Sequence, residues 1–310
     1  MAMSYLSLEG IYCGKIMLSA HDLLSQFPRG AYTTARTTGN GKSILELSAH
    51  ISRTASSAVS MHGGVGKECF SPGDMDARMR AGIRSVLLGA NTLSEYKITV
   101  LFLSSRERVE QAHHLVESKL QSPFLLPPLS AVVETSLLLT HATPLLPRRA
   151  APIRCAVRGV PRRNALVKDS DWVRARESIE AAMAPDEEEA LLVDEEEGIV
   201  EGTQTNFFAI DGEGHLITAG GGVCLEGTIR GIVLRVAEKL GVTVKIAAPN
   251  LSQAPRWRSA FLTSTSRLVL PIDEILYQGK AIVLPSKEDD LLNALSRGVD
   301  DWTKRASEEI

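Results

Sequence analysis

Three chemical parts lie in order along the second half of this chain. The first is Lys168, the only lysine between Lys119 and Lys239, at the head of KDSDW. The second is Glu201, which opens EGTQTNFFAI, with Asn206 inside what reads as one strand. The third is LEGTIR, Leu225 to Arg230, a glycine-containing loop running into a helix start. Such a helix start is a ready phosphate site, because backbone N–H groups and the positive end of the helix dipole point the same way. A lysine can form a Schiff base with an aldehyde, and a carboxylate can keep a pyridine nitrogen protonated so that the ring accepts electrons. These are the parts needed to hold pyridoxal 5'-phosphate. Taken alone, Glu201 reads as an exposed edge residue and Lys168 as a surface lysine opening a helix; the ordered spacing of all three parts argues for the site. On that reading Glu201 and Asn206 turn inward because a charged cofactor pairs with them, since their burial is otherwise costly.

The order E-G-T-Q-T-N-F-F, then L-I-T, then L-E-G-T-I-R resembles the signature of the class IV aminotransferases, the fold-type IV pyridoxal-phosphate enzymes. That family includes branched-chain and D-amino-acid aminotransferases and aminodeoxychorismate lyases. The resemblance is specific over roughly Lys168 to Ile272, traceable from Gly30 to Arg53, and poor from about Arg106 to Arg149. It implies that Lys168 is the Schiff-base lysine and the base of the proton shift, with Glu201 on the pyridine nitrogen and Asn206 supporting that edge. Gly227, Thr228 and Ile229 would give backbone N–H groups to the phosphate, with Thr-Ile where the family commonly has Ile-Thr. Thr265 falls where the family places a second phosphate-binding threonine; an inward strand threonine bonded to backbone is the other reading. H-I-S-R, His50 to Arg53, is similar to the family's H-x-x-R, whose arginine reaches the phosphate. The preceding GAYTTART carries Thr33 where the family has a glutamate, and Trp172 stands where many members have a tyrosine. Arg36, Trp172 and Arg267 are the candidate substrate contacts. For Arg267 the argument is that, in an extended strand, it shares a face with Thr265, or else the strand ends and Arg267 turns to solvent.

The activity implied is transfer of an amino group between an amino acid and a 2-oxo acid. A lyase resembling aminodeoxychorismate lyase, or a cofactor-binding member without activity, would keep the same cofactor parts and differ in substrate contacts. A homodimer is implied by the resemblance alone.

Composition limits the alternatives. The chain has 310 residues, 44% hydrophobic and 23% charged, as expected of a globular protein of two domains. A net charge of -3 gives no basic face, so no nucleic-acid partner is expected. Cys13, Cys69, Cys155 and Cys224 are widely spaced, which argues against a zinc site or disulfide framework and for reduced thiols in the cytoplasm. No stretch reads as a signal peptide or a membrane span, and no metal is expected.

The elements that must position these residues alternate between strand and helix, giving a mixed α/β (α+β) fold of two domains. The resemblance implies a smaller N-terminal α/β domain, 1–147, and a larger barrel-like C-terminal domain, 148–310. SYLSLEG and YCGKIML read as a strand pair about Gly10, and Ala31 to Thr37 and SILELS as strands. His50 to Met61 reads as a helix. Asp74 is placed as the cap of a helix with Met75, Met79, Ile83 and Val86 on its apolar face. YKITVLFL reads as a strand with Ile98, Val100 and Phe102 on one face, followed by a helix marked by Val109, Ala112, Val116 and Leu120. Residues 122–152, rich in leucine and proline, read as loop and edge structure. Beyond them come the strands IRCAVRG, EALLVD, IVEGTQTNFFAI, HLITA, VTVKIAA and SAFLTSTSRLVLPI. Helices are expected over Asp171 to Met183 and Thr228 to Leu240, the second stopped by Gly241.

Overall fold

The computed structural model describes residues 3–62, 72–90, 94–120, 136–147 and 153–310. The chain forms two compact units, Met1–Leu146 with Val167–Ala175 and Ala306–Ile310, and Pro147–Leu166 with Arg176–Arg305.

In the first unit β1 (Ser4–Leu8) and β2 (Ile11–Ile16) pair about Gly10, whose φ of +81° suits glycine. Helix α1 (Ala20–Gln26) starts from a capping box made by Ser19 and Asp22. Then follow β3 (Ala31–Thr38), β4 (Ser43–Leu45), α2 (Leu47–Met61), α3 (Pro72–Ala90), β5 (Tyr96–Ser104), α4 (Arg106–Lys119) and β6 (Ser136–Pro144). Among the described residues the strands form one sheet in the order Ser307–Glu309, β4, β3, β5, β6, β1, β2. The α3 residues Met75, Met79, Ile83 and Val86 are buried with Ile98, Val100 and Phe102, as their spacing requires. On the other face Leu101 and Leu103 pack with Val109, Ala112 and Val116 of α4. Asp74 lies in the first turn of α3 and not ahead of it, since the helix starts at Pro72.

Two expected elements differ. SILELS is a strand only to Leu45, because α2 begins at Leu47. Residues 136–144 are no edge: β6 lies between β5 and β1, and Ser136 to Ala142 are all buried. A strand covered on both faces shows a continuous apolar run and no alternation. Residues 121–135 and 148–152 of that expected loop lie outside the described residues.

The expected boundary at 147 lies one residue past the Leu146 limit, and two later segments join the first unit. Backbone pairing is the reason. Tyr32 N–H donates to the Lys168 carbonyl (2.9 Å), and Ser170 N–H donates to the Gly30 carbonyl (3.0 Å). Glu308 is opposite Ile44 on β4.

The second unit contains β7 (Ile153–Gly159), α6 (Glu177–Ala181), β8 (Glu187–Val193), β9 (Ile199–Gly202), β10 (Asn206–Asp211), β11 (Leu216–Thr218), α7 (Thr228–Lys239), β12 (Val244–Ile246), β13 (Trp257–Ser264), β14 (Leu268–Tyr277), β15 (Lys280–Val283) and α8 (Asp290–Arg305). Its sheet runs β12, β11, β10, β13, β14, β7, β8, β9, with β15 on β14. Helix α7 ends in a Schellman motif: Val242 N–H donates to Ala237 O (2.9 Å) and Gly241 N–H to Glu238 O (3.0 Å), with Gly241 at φ +69°.

Three expected elements are divided here. The helix expected over 171–183 is α5 (Asp171–Ala175), which belongs to the first unit, and α6. The strand expected over 199–210 is β9 and β10, separated by a bend at 203–205. The strand expected over 259–272 is broken by a turn at 265–267.

Candidate active site

In the first unit, Lys168 is joined edge-on to the start of β3. Its N–H donates to Ser57 Oγ of α2 (3.1 Å), and its amine lies 3.4 Å from the Tyr32 hydroxyl. Gly30 must be glycine here: a Cβ would meet the Phe102 carbonyl oxygen at 2.3 Å. Asp169, the next residue, pairs with Arg29 at 2.6 Å.

The H-I-S-R segment lies on α2. Arg53 Nη2 donates to Thr33 Oγ1 (2.8 Å) and to His50 Nδ1 (3.0 Å), and Thr33 Oγ1 is 2.8 Å from the same ring nitrogen. A guanidinium has only donors, so His50 Nδ1 must be an acceptor and the ring proton belongs on Nε2. Burial, with Arg53 and Lys168 nearby, holds His50 well below the usual imidazole range, so it is neutral. Burial also pushes Arg53 down to about 10, against the pull of Tyr32. A buried guanidinium bonded to a neutral hydroxyl and a neutral ring, where the family has a glutamate, suits an anionic ligand such as a phosphate. Arg36 is half-buried on β3, and Trp172 is half-buried in α5.

In the second unit, Glu201 at the end of β9 is 4% exposed. Arg162 Nε donates to Glu201 Oε1 at 2.7 Å, and Leu225 N–H donates to Oε2 at 3.0 Å. Arg162 also donates to Ala165 O (2.6 Å), so it ties the approach to Lys168 along the chain to the Glu201 strand. Asn206 opens β10 and donates through Nδ2 to Leu225 O at 2.6 Å. The burial of both residues is therefore compensated by the protein's own groups, and the expectation that a cofactor is needed to explain it is corrected. Two carboxylate oxygens offer about four acceptor positions, which leaves room on Glu201 for a further N–H donor.

Leu225 leads into α7. Gly227 is the N-cap, no side chain caps the helix, and the first intrahelical bond is Gly231 N–H to Gly227 O (3.0 Å). The helix therefore gives Ile229 N–H no carbonyl acceptor of its own. Thr228 begins the helix, and Ile229 is buried. A Cβ on Gly227 would meet Asn206 Oδ1 at 2.2 Å, so the glycine lets the loop approach the amide. Beside Asn206, at the register partner on β13, Thr263 has a buried hydroxyl with no partner, as does Thr205 in the bend. An uncapped helix start beside orphaned buried hydroxyls fits an anionic, oxygen-rich ligand.

Thr265 and Arg267 lie in the β13–β14 turn, so the extended-strand argument for Arg267 does not hold. Nor does Arg267 turn to solvent. It reaches Glu189 Oε2 on β8 at 2.5 Å, and Glu189 is 1% exposed on its side chain. Glu189 also accepts from Thr203 Oγ1 (2.5 Å) and Gln204 N–H (3.1 Å), so Arg267 supports the bend between Glu201 and Asn206. Removing one partner of a buried pair leaves the other uncompensated. Arg267→Ala should therefore lower unfolding free energy by about 3 kcal/mol in urea titrations. It should weaken mono- and dicarboxylate substrates equally. Selective loss of the dicarboxylate would restore the substrate role.

Sequence reasoning missed Arg162, Glu189, Tyr32 and Thr263. A buried carboxylate in a strand demands a cation, but its partner is remote in sequence, so the signal showed that a partner was needed without identifying it.

With this geometry described, comparison decides the family. The sequence profile named amino-transferase class IV matches residues 119–275, half of the chain and all of the stretch from Lys168 to Thr265. The chain belongs to the class IV aminotransferases. Membership carries the enzyme class, a pyridoxal-phosphate-dependent transferase. This aminotransferase is also similar in fold to solved structures. The branched-chain aminotransferase of Thermoproteus uzoniensis with norvaline is 17% identical, with 98% of this chain and 96% of that one covered and a TM-score of 0.68. The Thermobaculum terrenum branched-chain enzyme in its PLP form has 17% identity, 98% and 95% coverage and a TM-score of 0.68. A hypothetical aminotransferase from Mycobacterium tuberculosis in PLP-bound form has 15% identity, 97% and 98% coverage and a TM-score of 0.67. No curated protein matches the chain. Among the described residues no helix is long and apolar enough to cross a membrane.

Proposed function

We propose that this aminotransferase moves an amino group between an amino acid and a 2-oxo acid, with Lys168 as its cofactor-linking residue and Glu201 as the partner of the pyridine nitrogen. The observation that carries the reading is Glu201 itself. It is a buried carboxylate oriented by Arg162 and Leu225 N–H, one loop ahead of the uncapped start of α7. Bound pyridoxal phosphate supplies an electron sink that a polypeptide lacks. Arg53 in the first unit and Gly227, Thr228, Ile229 and Thr265 in the second are assigned to the phosphate, with Asn206 holding the loop that carries those amides. Lys168, released from the cofactor, takes the substrate's α-proton and returns it. Arg36 and Trp172 are assigned to substrate contacts. Arg36 shares with Tyr32 one face of β3, the strand that lines Lys168.

Family resemblance supports a homodimer, and the free, buried thiols of Cys13, Cys155 and Cys224 support a reducing, cytoplasmic setting. Cys69 lies outside the described residues.

Borohydride reduction of cofactor-loaded protein followed by peptide mapping should mark Lys168. A screen of amino donors should then yield the corresponding 2-oxo acids. A mark on another lysine overturns the assignment of Lys168. Carbon–nitrogen or carbon–carbon cleavage without amino transfer would make the protein a lyase.

A further inference from the structure

Tyr32 is 6% exposed and meets Lys168 in two independent ways. Its N–H donates to the Lys168 carbonyl at 2.9 Å. Its ring lies beneath the Lys168 amine, 4.5 Å from the centroid, with the hydroxyl 3.4 Å from Nζ. Ordering a lysine side chain costs up to about 2 kcal/mol of rotamer entropy, so an amine held over one ring calls for an explanation. The ring face attracts the ammonium form. The hydroxyl oxygen can accept from an ammonium, and its O–H can donate to a neutral amine. The other ionisable groups here are His50 and Arg53 on α2, and Asp169, which is paired with Arg29. Trp172 offers an indole N–H that only donates, so it cannot replace a phenol in this two-way role.

We propose that Tyr32 is a catalytic residue whose hydroxyl holds and steers the Lys168 amine whenever that amine is not bonded to the cofactor. The proposal rests on the assignment of Lys168 as the cofactor lysine. It locates the working phenol on β3, where the resemblance led to an expectation of one at the Trp172 position.

Tyr32→Phe keeps the buried ring and removes only the oxygen. In cofactor-free protein, competitive labelling of Lys168 with an amine-reactive reagent across pH reports the midpoint of its proton loss. A hydrogen bond to a charged group is the stronger of the two that the hydroxyl can make. Its loss should therefore lower the midpoint by about one pH unit. In loaded protein the half-reaction with an amino donor should slow about tenfold with little change in donor KM. Tyr32→Leu, which also removes the ring, should lower the midpoint further. Borohydride should still mark Lys168 in both variants. An unchanged midpoint and rate in Tyr32→Phe, with Lys168 still marked, overturns the role of Tyr32 alone. Failure of the wild-type protein to be marked at Lys168 overturns the assignment beneath it, and the proposal with it.

Discussion

Lys168→Ala is expected to abolish covalent cofactor attachment and to slow the half-reaction with any amino donor by about 10²–10⁴-fold from loss of the base alone. The fold should survive. The contacts that hold residue 168 in place are made by its N–H to Ser57 and its carbonyl to Tyr32, and alanine keeps both. The cost in stability is limited to the stacking of the amine on the Tyr32 ring, about 0.5–2 kcal/mol. Calorimetry of the cofactor-free variant should therefore show a transition close to that of the parent. A small primary amine added to the variant should recover part of the rate, because it replaces the missing base and leaves the site unchanged. Lys168→Arg should not recover, because a guanidinium stays protonated and cannot take a proton. A Lys168→Ala protein that turns over amino donors at the parental rate would remove Lys168 from the chemistry.

The sequence made those parts of the fold legible where one face alone is buried. The heptad-like spacing of Met75, Met79, Ile83 and Val86 and the alternation of Ile98, Val100 and Phe102 each describe one such face, and these residues share a core. Strand β6 shows the converse. Covered on both faces, Leu137 to Ala142 carry no period, and nearby prolines suggested a loop. The bend at 203–205 lacks glycine and proline. It is fixed by remote partners: Thr203 N–H donates to Ala190 O, and Glu189 accepts from Thr203 and Gln204. The turn at 265–267 is similar, ending at Leu268 with φ +55°, a left-handed residue that no local motif announces.

The candidate site divides along the same line. Lys168, Glu201, Asn206 and Gly227 belong to a short ordered motif, so their types and spacing were enough to single them out. Their partners Arg162, Tyr32 and Thr263 reach them through folding, and no pattern in the chain pairs residues 39 or 136 positions apart. Thr33 falls between these cases. Its departure from the family was visible, but only the structure shows the consequence, a hydroxyl shared by Arg53 and His50 where a carboxylate would have neutralised the guanidinium.

Glu201→Gln should produce two effects that can be measured apart. The first is chemical. A neutral amide does not hold the pyridine proton, so half-reaction rates should fall by about 10²–10³-fold, comparable to losing one preorganised electrostatic partner, while the cofactor stays bound through Lys168 and the phosphate contacts. The second effect is structural and follows from Arg162. Its guanidinium is 10% exposed and faces Glu201 at 2.7 Å, so the substitution leaves a nearly buried cation against a neutral oxygen. Breaking one side of a buried pair costs about 3–5 kcal/mol, and an amide oxygen that still accepts a hydrogen bond should hold the loss near the lower figure. Urea unfolding of the cofactor-free protein measures it without any catalytic readout. Arg162→Met combined with Glu201→Gln removes both charges, so it should regain much of the stability and none of the rate. That separation is the decisive result. If the double variant recovers rate along with stability, Glu201 acts only as a structural partner of Arg162, and the pyridine nitrogen must be held elsewhere. If Glu201→Gln leaves the rate unchanged, the same conclusion follows directly.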